Sequence, residues 1–202
     1  MNQSSYKNFF VSAGAGIFVG AVFFDVIPEL REVIGFTYGL AGILAGVALW
    51  HLLKRLTGLV SKSSFAIVSS LGFLLHSFLE GAVTATSFGI NFGIGLLVTI
   101  GMVFHLLPEF FAITAILRGE GVSAKRSVLV DLGGVATLIG SFFLVFFFLT
   151  SLSHSTLSWL IALGGGAFLY IGLTSFVKRA KEKQSVLGFI LGSILIFFWN
   201  IF

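Results

Sequence analysis

Long apolar runs separated by short polar or basic stretches recur along the whole chain. Seven stand out, at 9–30, 34–53, 64–88, 92–117, 127–150, 156–177 and 185–202. A helix rising 1.5 Å per residue needs about 20 apolar residues to cross roughly 30 Å of hydrocarbon, and the runs have that length. The pattern predicts an all-α fold: a polytopic membrane helical bundle of seven transmembrane helices, forming a single transmembrane domain over 1–202. No stretch is left over for a soluble domain, so function is expected inside the membrane. The first run starts after Lys7 but is longer than a signal-peptide core and carries Asp25, Pro28 and Glu29 near its far end, so it reads as a retained helix.

Charge then orients the bundle. Lys and Arg flanking short loops stay on the cytoplasmic side. Lys7 precedes the first run, Lys54, Arg55 and Lys62 separate the second and third, Arg118, Lys125 and Arg126 the fourth and fifth, and Lys178, Arg179, Lys181 and Lys183 the sixth and seventh; only Arg31 lies opposite. The N-terminus is therefore predicted inside and the C-terminus outside. Trp50, Trp159 and Trp199 fall near run ends, where indole rings are expected at headgroup level.

Composition agrees. Apolar residues make up 57% of the 202, charged residues only 10%, and mean hydropathy is +1.08, which excludes a water-soluble domain with an ordinary charged surface. The net charge of +4 follows from the loop pattern and favours anionic inner-leaflet lipid over nucleic acid as a partner. Without cysteine, thiolate catalysis, thiolate metal sites and disulfides are excluded.

The ionisable residues inside the runs carry the functional signal, because each costs at least about 2.5–3.5 kcal/mol to insert. The first run holds Asp25 and Glu29, the third His76 and Glu80, the fourth His105 and Glu109, and the fifth Asp131. His76 and Glu80 are four residues apart, as are His105 and Glu109, so each pair shares one face of its helix, one turn apart. Imidazole and carboxylate together suit divalent ions such as Zn²⁺, Fe²⁺ or Mn²⁺, and two such clamps on adjacent antiparallel helices supply most of a coordination shell. Both histidines fall near the middle of their runs. The carboxylates should then lie about 6 Å to opposite sides of the midplane, so convergence on one ion requires the helices to slide relative to one another or the run boundaries to shift. The competing reading is that each pair is structural glue between helices.

Pro28 and Pro108 are the only prolines, in the matched contexts Asp25-Val-Ile-Pro28-Glu29 and His105-Leu-Leu-Pro108-Glu109. Each should free the carbonyl four residues earlier, Phe24 or Phe104, beside a carboxylate. His51 and His154 read as ordinary interface residues, and Gly164-Gly165-Gly166 as close helix contact.

These residues resemble the ZIP (Zrt/Irt-like) family of divalent metal transporters. His76-Ser77-Phe78-Leu79-Glu80-Gly81 is similar to that family's H-N-x-x-[DE]-G helix, and His105-Leu106-Leu107-Pro108-Glu109 to its H-[END]-x-P-E helix. Val130-Asp131 with Leu132-Gly133-Gly134 resembles V-E-P-x-G, Gly20 to Glu29 resembles the second family helix ending H-L-L-P-E, and Phe168-Leu169-Tyr170 resembles F-L-Y of the seventh. The resemblance covers family helices two to eight and identifies the chain as a short form without the first. It implies that His76, Glu80, His105 and Glu109 hold a first metal, and that Ser77, Glu80 and Asp131 remain for a second. Ser77 in place of Asn and Leu106 in place of a polar ligand weaken that second site, and Asp25 replaces a His.

The function expected is secondary transport of a divalent transition metal as substrate, with zinc placed first and iron and manganese as alternatives, by a multi-pass protein of the cell membrane that is not an enzyme. Asp25 would guide outer entry and Asp131 would relay the ion toward the cytoplasm. Membrane lipid and a homodimer complete the expected partners. Two other readings stay open: an integral-membrane metal-dependent hydrolase using the same cluster to activate water, and a non-transporting metal-binding relative.

Overall fold

A computed structural model describes residues 3–59, 61, 63–148 and 153–199. The chain runs through α1 (Gln3–Ala21), a π-helical turn (Val22–Val26), α2 (Ile27–Val33), α3 (Phe36–Gly58), α4 (Ser64–Ile90), α5 (Phe92–Gly119), α6 (Ala124–Phe148), α7 (His154–Val177) and α8 (Lys183–Trp199). The first apolar span, Ser5–Val33, is continuous through α1, the π turn and α2. Six spans among the described residues are long and apolar enough to cross a bilayer, and α8 supplies a shorter apolar helix, Lys183–Phe198. The chain is a multi-pass membrane bundle, as the hydropathy pattern predicts. Lys62 and the predicted run ends at 150 and 202 lie outside the described residues.

The two prolines are accommodated differently. Pro28 has no N–H to return to the preceding turn, and the helix widens just before it, so that the Ile27 N–H reaches back to the Val22 carbonyl. α5 passes through Pro108 as an α-helix, with that ring buried. The matched local sequences therefore do not produce matched backbones, because the neighbouring helices differ.

Glycines let helices approach backbone to backbone. A β-carbon on Gly192 would strike the Ala13 carbonyl and one on Gly188 the Phe9 carbonyl, which seats α8 on α1. Gly46 and Gly166 do the same between α3 and α7. In lipid, where apolar burial drives little association, such close van der Waals contact holds the helices together. Gly192→Val is accordingly expected to destabilise the bundle by about 1–3 kcal/mol through overpacking, read as a lowered melting temperature in detergent.

α1, α4 and α7 form the interior, while α5 and α6 turn large apolar side chains outward, among them Leu97, Val103, Leu132 and Phe147. Such a surface suits lipid. Phe18, Phe73, Phe168, Ile113 and Ile171 are buried in the centre. Trp50 departs from the expected headgroup position: it is 5% exposed and joins this core, held where Gly72 of α4 leaves room for its ring. Trp159 does stay part-exposed, edge-on to Tyr38.

Several of the basic loop residues gather at one end. Lys178 Nζ lies 2.9 Å from Glu120 Oε1 and 4.1 Å from the centre of the Phe65 ring. Arg179 lies 3.7 Å from Glu120 and donates to Asn8, which donates to Glu182. The starts of α1 and α4 thus meet the α5–α6 and α7–α8 connections at this basic end.

Candidate metal centre

α4 and α5 are joined through Asn91 alone, whose side chain accepts from the Ile94 N–H and caps α5. So tight a connection lays the helices antiparallel in a narrow range of registers. His76 and His105 lie 15 and 14 residues from Asn91, so the two histidines stand nearly level, with Glu80 and Glu109 about one turn away on opposite sides. His76 Nε2 lies 3.2 Å from Glu109 Oε1 and 3.6 Å from Glu80 Oε1; His105 Nε2 lies 3.4 Å from Glu109 Oε1 and 4.0 Å from Glu80 Oε1. One ligand atom from each of the four lies within 4.8 Å of every other. The expected offset of the carboxylates is closed at the level of the side chains, because each glutamate places an oxygen within 4.0 Å of both imidazoles.

A tetrahedral ion with ligands at about 2.0–2.2 Å needs ligand atoms about 3.4 Å apart, close to the spacings found. Glu109 is fully buried and Glu80 is 6% exposed, and the near neighbours of their Oε1 atoms among the described residues are the two imidazoles, at 3.2–4.0 Å. Two carboxylates so buried together in a low-dielectric interior are costly, and a cation held between the pairs offsets that cost. The four side chains could therefore hold one divalent ion.

The ring of Phe168 lies against His76, centroids 4.1 Å apart, and stacks on Phe18 from the other side, also at 4.1 Å. With Phe73 and Ile113, these rings close the cluster toward the basic end. On the opposite side a cavity of about 970 Å³ reaches His76, Glu80 and His105. Its lining from α5 comes from the half of that helix remote from the basic end, such as Leu97 and Gly101, so the cavity enters the cluster from that half of the bundle.

The remaining predicted residues divide. Asp25, on the π turn, lines this cavity, and its Oδ2 is buried without a hydrogen-bond partner. Ser77 is buried one residue beyond His76, but its hydroxyl donates to the Phe73 carbonyl at 3.1 Å and it faces Gly134 of α6. Asp131 Oδ2 accepts from Thr114 Oγ1 at 2.7 Å. Neither Ser77 nor Asp131 belongs to the four-residue cluster.

Two participants escaped the sequence. Phe168 entered only as part of a family-like tripeptide, and its contact with His76 depends on how α7 crosses α4. Thr114 carried no signal, because an isolated threonine in an apolar run is commonplace. Glu29, one of the acids picked out within the first run, lines the same cavity as Asp25.

No family model matches the chain. Individual proteins do. It is 30% identical over 134 residues to the zinc transporter foi of Drosophila melanogaster, covering 66% of this chain and 19% of that one. It is 30% identical over 141 residues to the zinc transporter GufA of Myxococcus xanthus, covering 67% and 55%, and 23% identical over 128 residues to the zinc transporter ZIP4 of Homo sapiens, covering 62% and 20%. The chain belongs to the ZIP family. The matched region spans about a fifth of the length of foi and of ZIP4, and a little over half of GufA. What family members share with this chain is thus a transmembrane region, and the His/Glu cluster lies within the part of the chain given to spans.

Proposed function

We propose that the chain moves divalent transition-metal ions across the membrane by exposing the His76/Glu80/His105/Glu109 cluster alternately to its two sides. The observation that carries this reading is the four-residue cluster, three of its members buried, at the floor of a cavity that enters from the half of the bundle remote from the basic end. A site reachable from only one side at a time is what coupled movement requires, and a purely structural ion pair needs no access cavity. Zinc is the first substrate on the donor set, since two imidazoles and two carboxylates suit its tetrahedral preference. The relatives named as zinc transporters support the same choice. Iron and manganese fit the same donors less selectively.

Asp25 attracts the ion into the cavity, the four ligands bind it, and Asp131 with Ser77 receives it on the α6 side after rearrangement. Residues 1–202 act as one transmembrane domain, with the basic end in the cytoplasm and transport directed inward. The relatives are named as zinc transporters, which favours this over a membrane hydrolase.

Zinc uptake into proteoliposomes tests the reading. Glu80→Ala and His76→Ala should each lower the initial rate at least tenfold, by analogy with the tenfold-or-greater losses seen even when residues behind a metal ligand are changed. Wild-type rates in both variants would refute the site, and tight zinc binding with no flux in the parent would make the protein a non-transporting relative. With no imposed proton gradient, uptake should also fall as pH is lowered, because ligation needs neutral imidazole and ionised carboxylate and protons compete for both.

A further inference from the structure

The two imidazoles of the cluster are held unequally. His76 lies in a slot made by α7, a helix that supplies none of the four residues of the cluster. Phe168 covers one face of the imidazole, with centroids 4.1 Å apart and planes inclined by 31°, and is itself stacked on Phe18 of α1 at 4.1 Å and 10°. Phe18 and Phe168 are both fully buried. One turn earlier on α7 stands Gly164. A β-carbon there would lie 3.8 Å from His76 Nδ1 and 3.0 Å from Leu79 Cδ1, so the bare glycine lets α7 come up to the Nδ1 edge of the ring. Nε2 is the atom left facing the carboxylates, 3.2 Å from Glu109 Oε1 and 3.6 Å from Glu80 Oε1. His105 has no ring contact of this kind among the described residues, and its side chain is 22% exposed against 11% for His76.

The terminal torsion of a histidine is broad, so an unsupported imidazole must be ordered when the ion arrives, and that ordering costs affinity. We propose that Phe168 is a positioning residue of the metal site: it fixes the plane of the His76 ring in advance, with Nε2 as the ligating nitrogen, and makes His76 the preset ligand of the four. The inference rests on the cluster being the metal site, and it joins α7 to that site through packing, without ligation. Phe18 backs the Phe168 ring from α1, so the plate cannot tilt away from His76 without opening the contact between α1 and α7. Bulk packing alone would be served by any large apolar side chain at 168. A flat ring against the imidazole face, with a glycine at the Nδ1 edge, constrains the direction of Nε2 as well.

Cobalt is the probe, because its visible absorption reports the geometry of its ligands. The purified full chain in detergent is titrated with Co²⁺, and its melting temperature is measured alongside. Phe168→Leu should weaken cobalt binding about tenfold, the low end of what losing a ligand-orienting group costs, and should change the position or intensity of the cobalt bands. Phe18→Leu is the control, since it removes a ring of the same size from the same stack, one layer away from His76. It should lower the melting temperature comparably and leave the cobalt affinity and spectrum close to those of the parent. If Phe168→Leu does not fold, Phe168→Met, which fills the space without a flat face, is judged by the same readouts. Parent affinity and spectrum at position 168 would overturn the proposal. Equal losses in the two leucine variants would do so as well, by reducing Phe168 to packing. His76→Ala separates the proposal from the site: undiminished cobalt binding there would remove both, whereas a loss there with none in Phe168→Leu would leave the metal site standing and remove only the role of Phe168.

Discussion

Glu109→Ala should lower zinc affinity by about 100-fold or more, the largest single-site effect expected in this protein. Changing a residue that merely supports a metal ligand already costs 10–100-fold, and Glu109 is closer to the site than that. Its Oε1 faces both imidazoles, at 3.2 and 3.4 Å, and the side chain is completely buried, so no water takes its place at low cost. Isothermal titration of the purified protein measures the change. A loss below threefold would mean that the ion sits elsewhere, with Asp25 and Glu29 the next candidates. Glu109→Asp separates chemistry from charge: it keeps the carboxylate but withdraws it by a methylene, and an intermediate loss is expected.

The second large effect has opposite signs with and without metal. Glu109 has both imidazoles at 3.2 and 3.4 Å, whereas Glu80 is buried beside it with the imidazoles at 3.6 and 4.0 Å, so in the metal-free protein the Glu80 charge opposes folding. Glu80→Gln removes that charge at nearly constant volume. The metal-free variant should melt at a higher temperature than the metal-free parent. Adding zinc at 100 times its dissociation constant should stabilise the parent by about 2.7 kcal/mol and the variant hardly at all. Melting curves in detergent with a chelator and with zinc give both signs from one experiment. A variant that melts lower in the absence of metal would show that Glu80 is already well compensated, which would weaken the case for a cation beside it.

Much of this was readable along the chain. In a bilayer every backbone polar group must be satisfied within its own helix, so hydropathy and helix length locate the spans, and the elements at 36–58, 64–90 and 92–119 match the predicted runs to within a few residues. The four-residue separation of His76 from Glu80 and of His105 from Glu109 likewise assigns each pair to one helix face, since a helix returns to the same side after about one turn. Trp50 marks where such reasoning ends. Its position near a run end is a one-dimensional fact, whereas its burial depends on a glycine in another helix.

The sequence by itself determined where the long apolar helices lie, the acidic and imidazole groups placed inside them, and the pairing of ligands within each helix, because these depend on local hydrogen bonding and on solvent. Only the tertiary structure decided that each glutamate reaches both imidazoles, that Ser77 and Asp131 turn toward other partners, and that a cavity lined by His76, Glu80 and His105 reaches the cluster. Those features depend on helix register and crossing, and these are set by which side chains pack where two helices meet.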